Sequence, residues 1–248
     1  TSLCILASTA SLTGCGGEDV ETNTDITGID VTSPVSDWQM VWNDEFDGTE
    51  INADNWTHED TCAPPNTTER QCYSPDAEYS YVEDGVLKIV ALPTPDADNG
   101  KEYTSARMNT RYKADHKYGR FEMRAKLPSG QGSWPAFWMK ATDDVYGAWP
   151  HSGEIDIMET VNLNVADADG KLETEVRGVL HYGEWNNGSS DSTGHGYDIP
   201  GNPVDDFHTY AVEWQEGEIR WYVDDVLFQT QRKSEIRYNG KGDAVGLS

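Results

Sequence analysis

The chain has 248 residues, enough for one large all-β domain or two small ones. Its 44 Asp and Glu against 18 Lys and Arg give a formal charge of −26. A surface that acidic repels phosphate backbones and polyanionic glycans; this excludes a nucleic-acid partner and leaves a neutral polymer as the better fit, with solubility alone as the other use of the charge.

The chain opens with a short apolar run, Leu3 to Leu12. It is too short to cross a bilayer as a helix. It resembles the h-region of a secretory signal, without an initiator Met or a basic start. The run closes on Leu12-Thr13-Gly14-Cys15, which looks like a bacterial lipobox, the motif whose Cys becomes the lipidated first residue. An ordinary signal with a chance Cys is the alternative. Residues 1–15 are thus predicted to be a signal peptide and lipobox that lacks its start, with Cys15 as the lipidation site. Residues 16–36, rich in Gly, Thr, Ser and Asp, cannot bury enough apolar surface to fold and read as a flexible linker. The expected location is the bacterial envelope, at the outer membrane or cell surface, or the medium, and membrane contact is expected only through the lipid. Cys62 and Cys72 lie in a Pro- and Thr-rich loop, where export favours a local disulfide. A zinc site lacks a second Cys pair or His pair at ligand spacing nearby.

Residues 37–248 make up the predicted folded domain, and no long stretch of it has helical periodicity. Glu78 to Val82 and Val86 to Leu92 flank a hairpin turn at Glu83-Asp84-Gly85. Tyr118 to Leu127 alternates apolar and charged residues. Phe207 to Trp214, Ile219 to Val223 and Val226 to Gln231 read as a meander turning at Glu216-Gly217 and Asp224-Asp225. Many short strands with frequent turn signals predict a β-sandwich or jelly roll.

Gly153 to Thr160 reads G-E-I-D-I-M-E-T. On a strand, Glu154 and Asp156 share one face. Glu159, five positions after Glu154, would face the wrong way unless a β-bulge near Ile157-Met158 turns it back. Three carboxylates on one face repel one another, and at least one pKa should rise. Glycoside hydrolysis uses such a pair, one carboxylate to attack the anomeric carbon and a protonated one to release the leaving oxygen. An exposed acidic face and a divalent-metal site are the other readings of the same pattern. The flanks favour catalysis. Trp134, Trp138 and Trp149 surround the acidic strand in sequence, in a chain with nine Trp and twelve Tyr. Indoles stack on sugar C–H faces or fill a core; Trp134 and Trp149 are the stronger expectations for the cleft.

These segments resemble glycoside hydrolase family 16, in its laminarinase-like (endo-β-1,3-glucanase) branch. The resemblance runs from about Trp38 to Gln231. It is carried by Trp42-Asn43-Asp44-Glu45-Phe46-Asp47-Gly48, Asp84-Gly85-Val86-Leu87, Ser105-Ala106-Arg107, Tyr118-Gly119-Arg120-Phe121-Glu122, Trp134-Pro135, Gly153 to Glu159, His181-Tyr182-Gly183 and Phe207-His208-Thr209-Tyr210. Met158 gives the acidic strand the bulged form typical of that branch.

The resemblance implies a curved β-sandwich, a concanavalin A-like jelly roll, with a concave substrate cleft. It implies endo-cleavage of a neutral β-glucan with retention of configuration; a monomer is expected. Glu154 then matches the nucleophile, Glu159 the acid/base and Asp156 the carboxylate between them. Charge on Glu154 and Asp156 should keep Glu159 protonated near neutrality. His181 either contacts sugar or a carboxylate or is structural; Arg107 either binds sugar hydroxyls or pairs with an acid. No cofactor is required, and a structural calcium, as in many family members, would draw on Glu45 and the backbone near Gly85. One departure stands out. Residues after Gln231 lack the Asn- and Gly-Gly-containing segment and closing strand that the family leads one to expect, so the domain is expected to be incomplete at its C-terminus. The competing functions are a surface glycan-binding lipoprotein without turnover and an agarase-type hydrolase of the same family.

Overall fold

The computed structural model describes residues 2–8, 38–64, 68–94, 100–186, 189–233, 236–238 and 244–246. These residues form strands and turns, and no helix occurs among them. Two antiparallel sheets carry the architecture. The six-stranded sheet runs in the order Val226–Arg232, Glu218–Val223, His208–Gln215, Gly119–Ala125, Ser2–Ser8, Trp38–Asp44. The four-stranded sheet runs Ala136–Lys140, Glu154–Glu159, Glu175–Asn186, Ser189–Asp198.

Alternation along the strands puts the core between the sheets. Phe121, Val212 and Trp221 stand in register across three strands of the larger sheet. They pack with Ile155, Ile157 and Leu180 of the smaller one. A second buried cluster joins Ala125, Tyr210 and Val223 to Met158 and Val176. The predicted meander is present, and Asp224 and Asp225 both take positive φ at its second turn, 48° and 62°. The hairpin of Ser80–Glu83 with Val86–Ile89 closes through Asp84 and Gly85, also both at positive φ. That is the turn whose twist matches flanking strands.

On the opposite face of the larger sheet, Arg120, Glu213 and Arg220 form a cross-strand row of alternating charge. Glu213, 3% exposed, meets Arg120 Nη1 at 3.3 Å and Arg220 Nη1 at 3.1 Å, and accepts from the Tyr222 hydroxyl at 2.8 Å. Removing the central acid takes away the carboxylate that the two buried guanidinium groups share, although Arg120 keeps Glu122 and Asp225 and Arg220 keeps Glu218. Glu213→Ala is therefore expected to cost about 1.5–3 kcal/mol, seen as a lower urea midpoint at unchanged slope.

Ser2–Ser8, within the predicted leader, pairs with Gly119–Ala125 on one side and Trp38–Asp44 on the other. Cys15 and the predicted linker lie outside the described residues. Cys62 and Cys72 are joined by a disulfide, directly across a short antiparallel ladder. The long hairpin of Glu175–Asn186 and Ser189–Asp198 is not announced by the sequence. Gly178, Gly183, Gly194 and Gly196 depress its strand propensity, and pairing with the acidic strand overrides that preference.

Candidate active site

Three cross-strand rows cover the open face of the four-stranded sheet. The first is Lys140, Glu154, His181 and Ser192; the second Trp138, Asp156, Val179 and Gly194; the third Ala136, Glu159, Arg177 and Gly196. Between the second and third rows the acidic strand uses two residues, Ile157 and Met158, where its neighbours use one, Phe137 and Gly178. Ile157 and Met158 are both 1% exposed and enter different core clusters. Two successive side chains therefore point inward, and Glu159 emerges on the same face as Glu154 and Asp156. The bulge lies at the position the residue count predicts.

Asp156 is 4% exposed, and its Oδ2 lies 3.2 Å from His181 Nε2. The other ring nitrogen, Nδ1, lies 3.1 Å from Ser190 Oγ. One donor atom each from Glu154, Asp156 and His181 fall within 4.8 Å of one another, and no other such metal-like group occurs among the described residues. Glu45 accepts from Asn43 Nδ2 at 3.3 Å and is not part of that group. Trp134 donates from Nε1 to Glu159 Oε2 at 2.9 Å.

Burial, reinforced by the Asp156 carboxylate, pushes Glu154 up to about 7. Glu159 is raised too, first by burial and then by Asp156, against the opposing pull of the Trp134 N–H. His181 is raised chiefly by its bond to Asp156. Repulsion between charges, the cause expected from sequence, is thus secondary to desolvation, and Glu154 shares the rise that the sequence places on Glu159 alone.

All three predicted tryptophans lie on the open side. Trp134 is 56% exposed. Trp138 stands beside Asp156 while its neighbours Phe137 and Met139 pack on the core. Arg107 lies over the Trp138 ring, 4.6 Å from its centroid, and its Nε is 3.1 Å from Glu59 Oε1. Arg107 therefore pairs with an acid beside the acidic strand. Trp149 packs against His181 at 5.9 Å and against Trp185 at 5.2 Å between ring centroids. Trp185, 52% exposed, and Glu59 are the site-lining residues that sequence reasoning misses. Trp185 sits in the unannounced hairpin, and Glu59 has no motif of its own.

Carboxylates of raised proton affinity, aligned on one sheet face among accessible indoles, are the machinery for cleaving glycosidic bonds, and the class of this protein is glycoside hydrolase. More narrowly, the chain belongs to glycosyl hydrolases family 16, whose profile matches residues 68–242. It is 37% identical over 227 residues to glucan endo-1,3-beta-glucosidase A1 of Niallia circulans, covering 85% of this chain and 32% of that protein. It is 40% identical over 205 residues to the beta-glucanase of Rhodothermus marinus, covering 81% of this chain and 68% of that protein. The X-ray structure of the laminarinase from Rhodothermus marinus superposes with a TM-score of 0.68 at 40% identity, covering 79% of this chain and 75% of that one.

Proposed function

We propose that this protein is a retaining endo-hydrolase of β-1,3-glucan, of laminarin type, with mixed β-1,3/1,4-glucan as a related substrate. The observation that carries the proposal is the bulge that returns Glu159 to the face of Glu154 and Asp156. Both relatives' names, a glucan endo-1,3-beta-glucosidase and a beta-glucanase, support the substrate class.

In the proposed mechanism, the Glu154 carboxylate attacks the anomeric carbon as Glu159 gives its proton to the departing glycosidic oxygen. The bond to the leaving sugar breaks and a glycosyl ester forms on Glu154. The negative charge on Glu154 is then gone, which favours the ionised form of Glu159. Glu159 takes a proton from water, the hydroxide oxygen attacks the anomeric carbon, and Glu154 is released as a carboxylate. Asp156, with His181 Nε2 3.2 Å from its Oδ2, stands between the two glutamates on the same face. Trp134 and Trp149 supply stacking surfaces for sugar rings, with His181 beside Trp149, while Arg107 covers one face of Trp138 and is held by Glu59. This chemistry needs no cofactor.

Incubation with laminarin, lichenan and agarose, followed by product analysis, tests the assignment. Oligosaccharides from laminarin are expected; release from agarose with none from laminarin would overturn it. A glycan-binding protein without turnover would release nothing from any of them.

The carboxylate set also predicts a pH response. Asp156 raises the proton affinity of both Glu154 and Glu159, and its effect on each exceeds the opposing one of His181. Asp156→Asn removes that charge, so both affinities fall. Glu154 then ionises at lower pH, and Glu159 loses its proton at lower pH. The whole bell-shaped profile of kcat/KM is expected to move toward acid, together with a lower maximum.

We also propose that the protein is a bacterial envelope lipoprotein attached through Cys15, on the strength of the apolar run and Leu12-Thr13-Gly14-Cys15, and that processing there removes Ser2–Ser8 from its place in the sheet between Gly119–Ala125 and Trp38–Asp44. Labelled palmitate should enter the wild-type protein and be lost in Cys15→Ala; equal labelling of both would contradict the anchor.

A further inference from the structure

The bulge that places Glu159 rests on an indole from the other sheet. Trp221, fully buried between Val212 and Gln229 in its own sheet, donates from Nε1 to the backbone carbonyl of Asp156 at 2.8 Å. Asp156 is the last residue in regular register before the extra residue of the bulge. An extra residue disrupts the ladder locally, and a buried carbonyl without a donor is costly. The indole supplies a donor at that point.

The strand opposite is built to admit it. Gly178 faces the Ile157–Met158 pair across the bulge. A Cβ on Gly178 would lie 2.3 Å from Trp221 Cδ1 and 2.7 Å from its Nε1. Gly178 is not at positive φ, so its missing side chain serves space, not backbone conformation. A glycine, an indole and one carbonyl thus meet directly beneath the kink.

We infer that Trp221 is a positioning residue for the acid/base Glu159, acting by pinning the bulge at the Asp156 carbonyl with Gly178 as its socket. The inference rests on the retaining-glycosidase reading. Glu154 and Asp156 precede the bulge and are tied by regular pairing and by His181. Glu159 follows it, so slack in the kink displaces the proton donor more than the nucleophile.

The test separates those two effects. Laminarin has a poor leaving group and needs the proton from Glu159; a 2,4-dinitrophenyl β-laminaribioside has a leaving group that needs none. In Trp221→Phe, kcat/KM on laminarin is expected to fall about 10- to 100-fold while kcat/KM on the dinitrophenyl substrate stays within about twofold. Replacing the indole of Trp221 by benzothiophene keeps shape and packing and removes only the N–H. It is expected to show the same split and decides the matter should Trp221→Phe not fold. Equal loss on both substrates, or undiminished laminarin hydrolysis, in the benzothiophene variant would overturn the inference. A wild-type protein inactive on both substrates would instead remove the underlying reading, and the inference with it.

Discussion

Glu154→Ala is expected to abolish release of reducing sugar from laminarin, with kcat down by at least about 10⁴-fold, while laminarin still binds. The expectation follows from where the residue stands. Glu154 lies on the open face, in register with Lys140 and His181 and one pleat from Asp156. Its proposed role is to form a bond to carbon, which no neighbouring group replaces: Asp156 is buried against His181, and Glu159 lies beyond the bulge. Its fold contribution is small, because its raised proton affinity shows that burial disfavours its charged form. Added azide fills the space of the missing carboxylate and should attack an activated β-glycoside from the vacated side, giving an α-glycosyl azide. Calorimetric titration with laminarin checks the binding, and NMR of the azide product checks the face of attack. Undiminished hydrolysis would remove Glu154 from the chemistry.

Glu159→Ala is the second large effect and has a different signature. Loss of the acid/base should lower kcat on laminarin by about 10²–10⁴-fold. An activated aryl glycoside, which departs without a proton, should still form the glycosyl ester and stall there. Azide should then restore turnover and yield a β-glycosyl azide, because it attacks the ester from the face water uses. A burst of released phenol followed by a slow steady state would mark the stalled intermediate. An α-azide from this variant, or equal losses on laminarin and on the aryl substrate, would reverse the roles given to the two glutamates. Trp134 bears on the same residue. Its indole N–H holds the Glu159 oxygen at 2.9 Å and favours the ionised form, so it orients the donor while moderating its proton affinity.

The acidic strand was the most legible part of the chain. Counting residues from Glu154 to Glu159 locates the bulge, because side-chain alternation leaves no other way to bring both to one face. The meander from His208 to Arg232 was legible for a similar reason: alternating residues and turn residues that tolerate positive φ at Gly217, Asp224 and Asp225. The hairpin from Glu175 to Asp198 was not legible. Its glycines and serines carry no strand signal, and its stability comes from a neighbour that local sequence does not show. With it went Trp185, which reaches the site only because the hairpin holds it against Trp149. Trp221 lies 65 residues from the carbonyl it meets, so only the packing of one sheet on the other reveals the contact. The causes of the raised proton affinities were hidden in the same way. Like charge can be read from spacing, whereas burial, the larger cause at both Glu154 and Glu159, depends on the folded surroundings.

The most direct test follows the anomeric proton of the first sugar released. In a proton NMR time course of laminarin digestion, the new reducing ends should appear as the β-anomer and only later mutarotate to the equilibrium mixture. Initial appearance of the α-anomer would mean a single inverting displacement, and Glu154 could not then be the group that bonds to carbon.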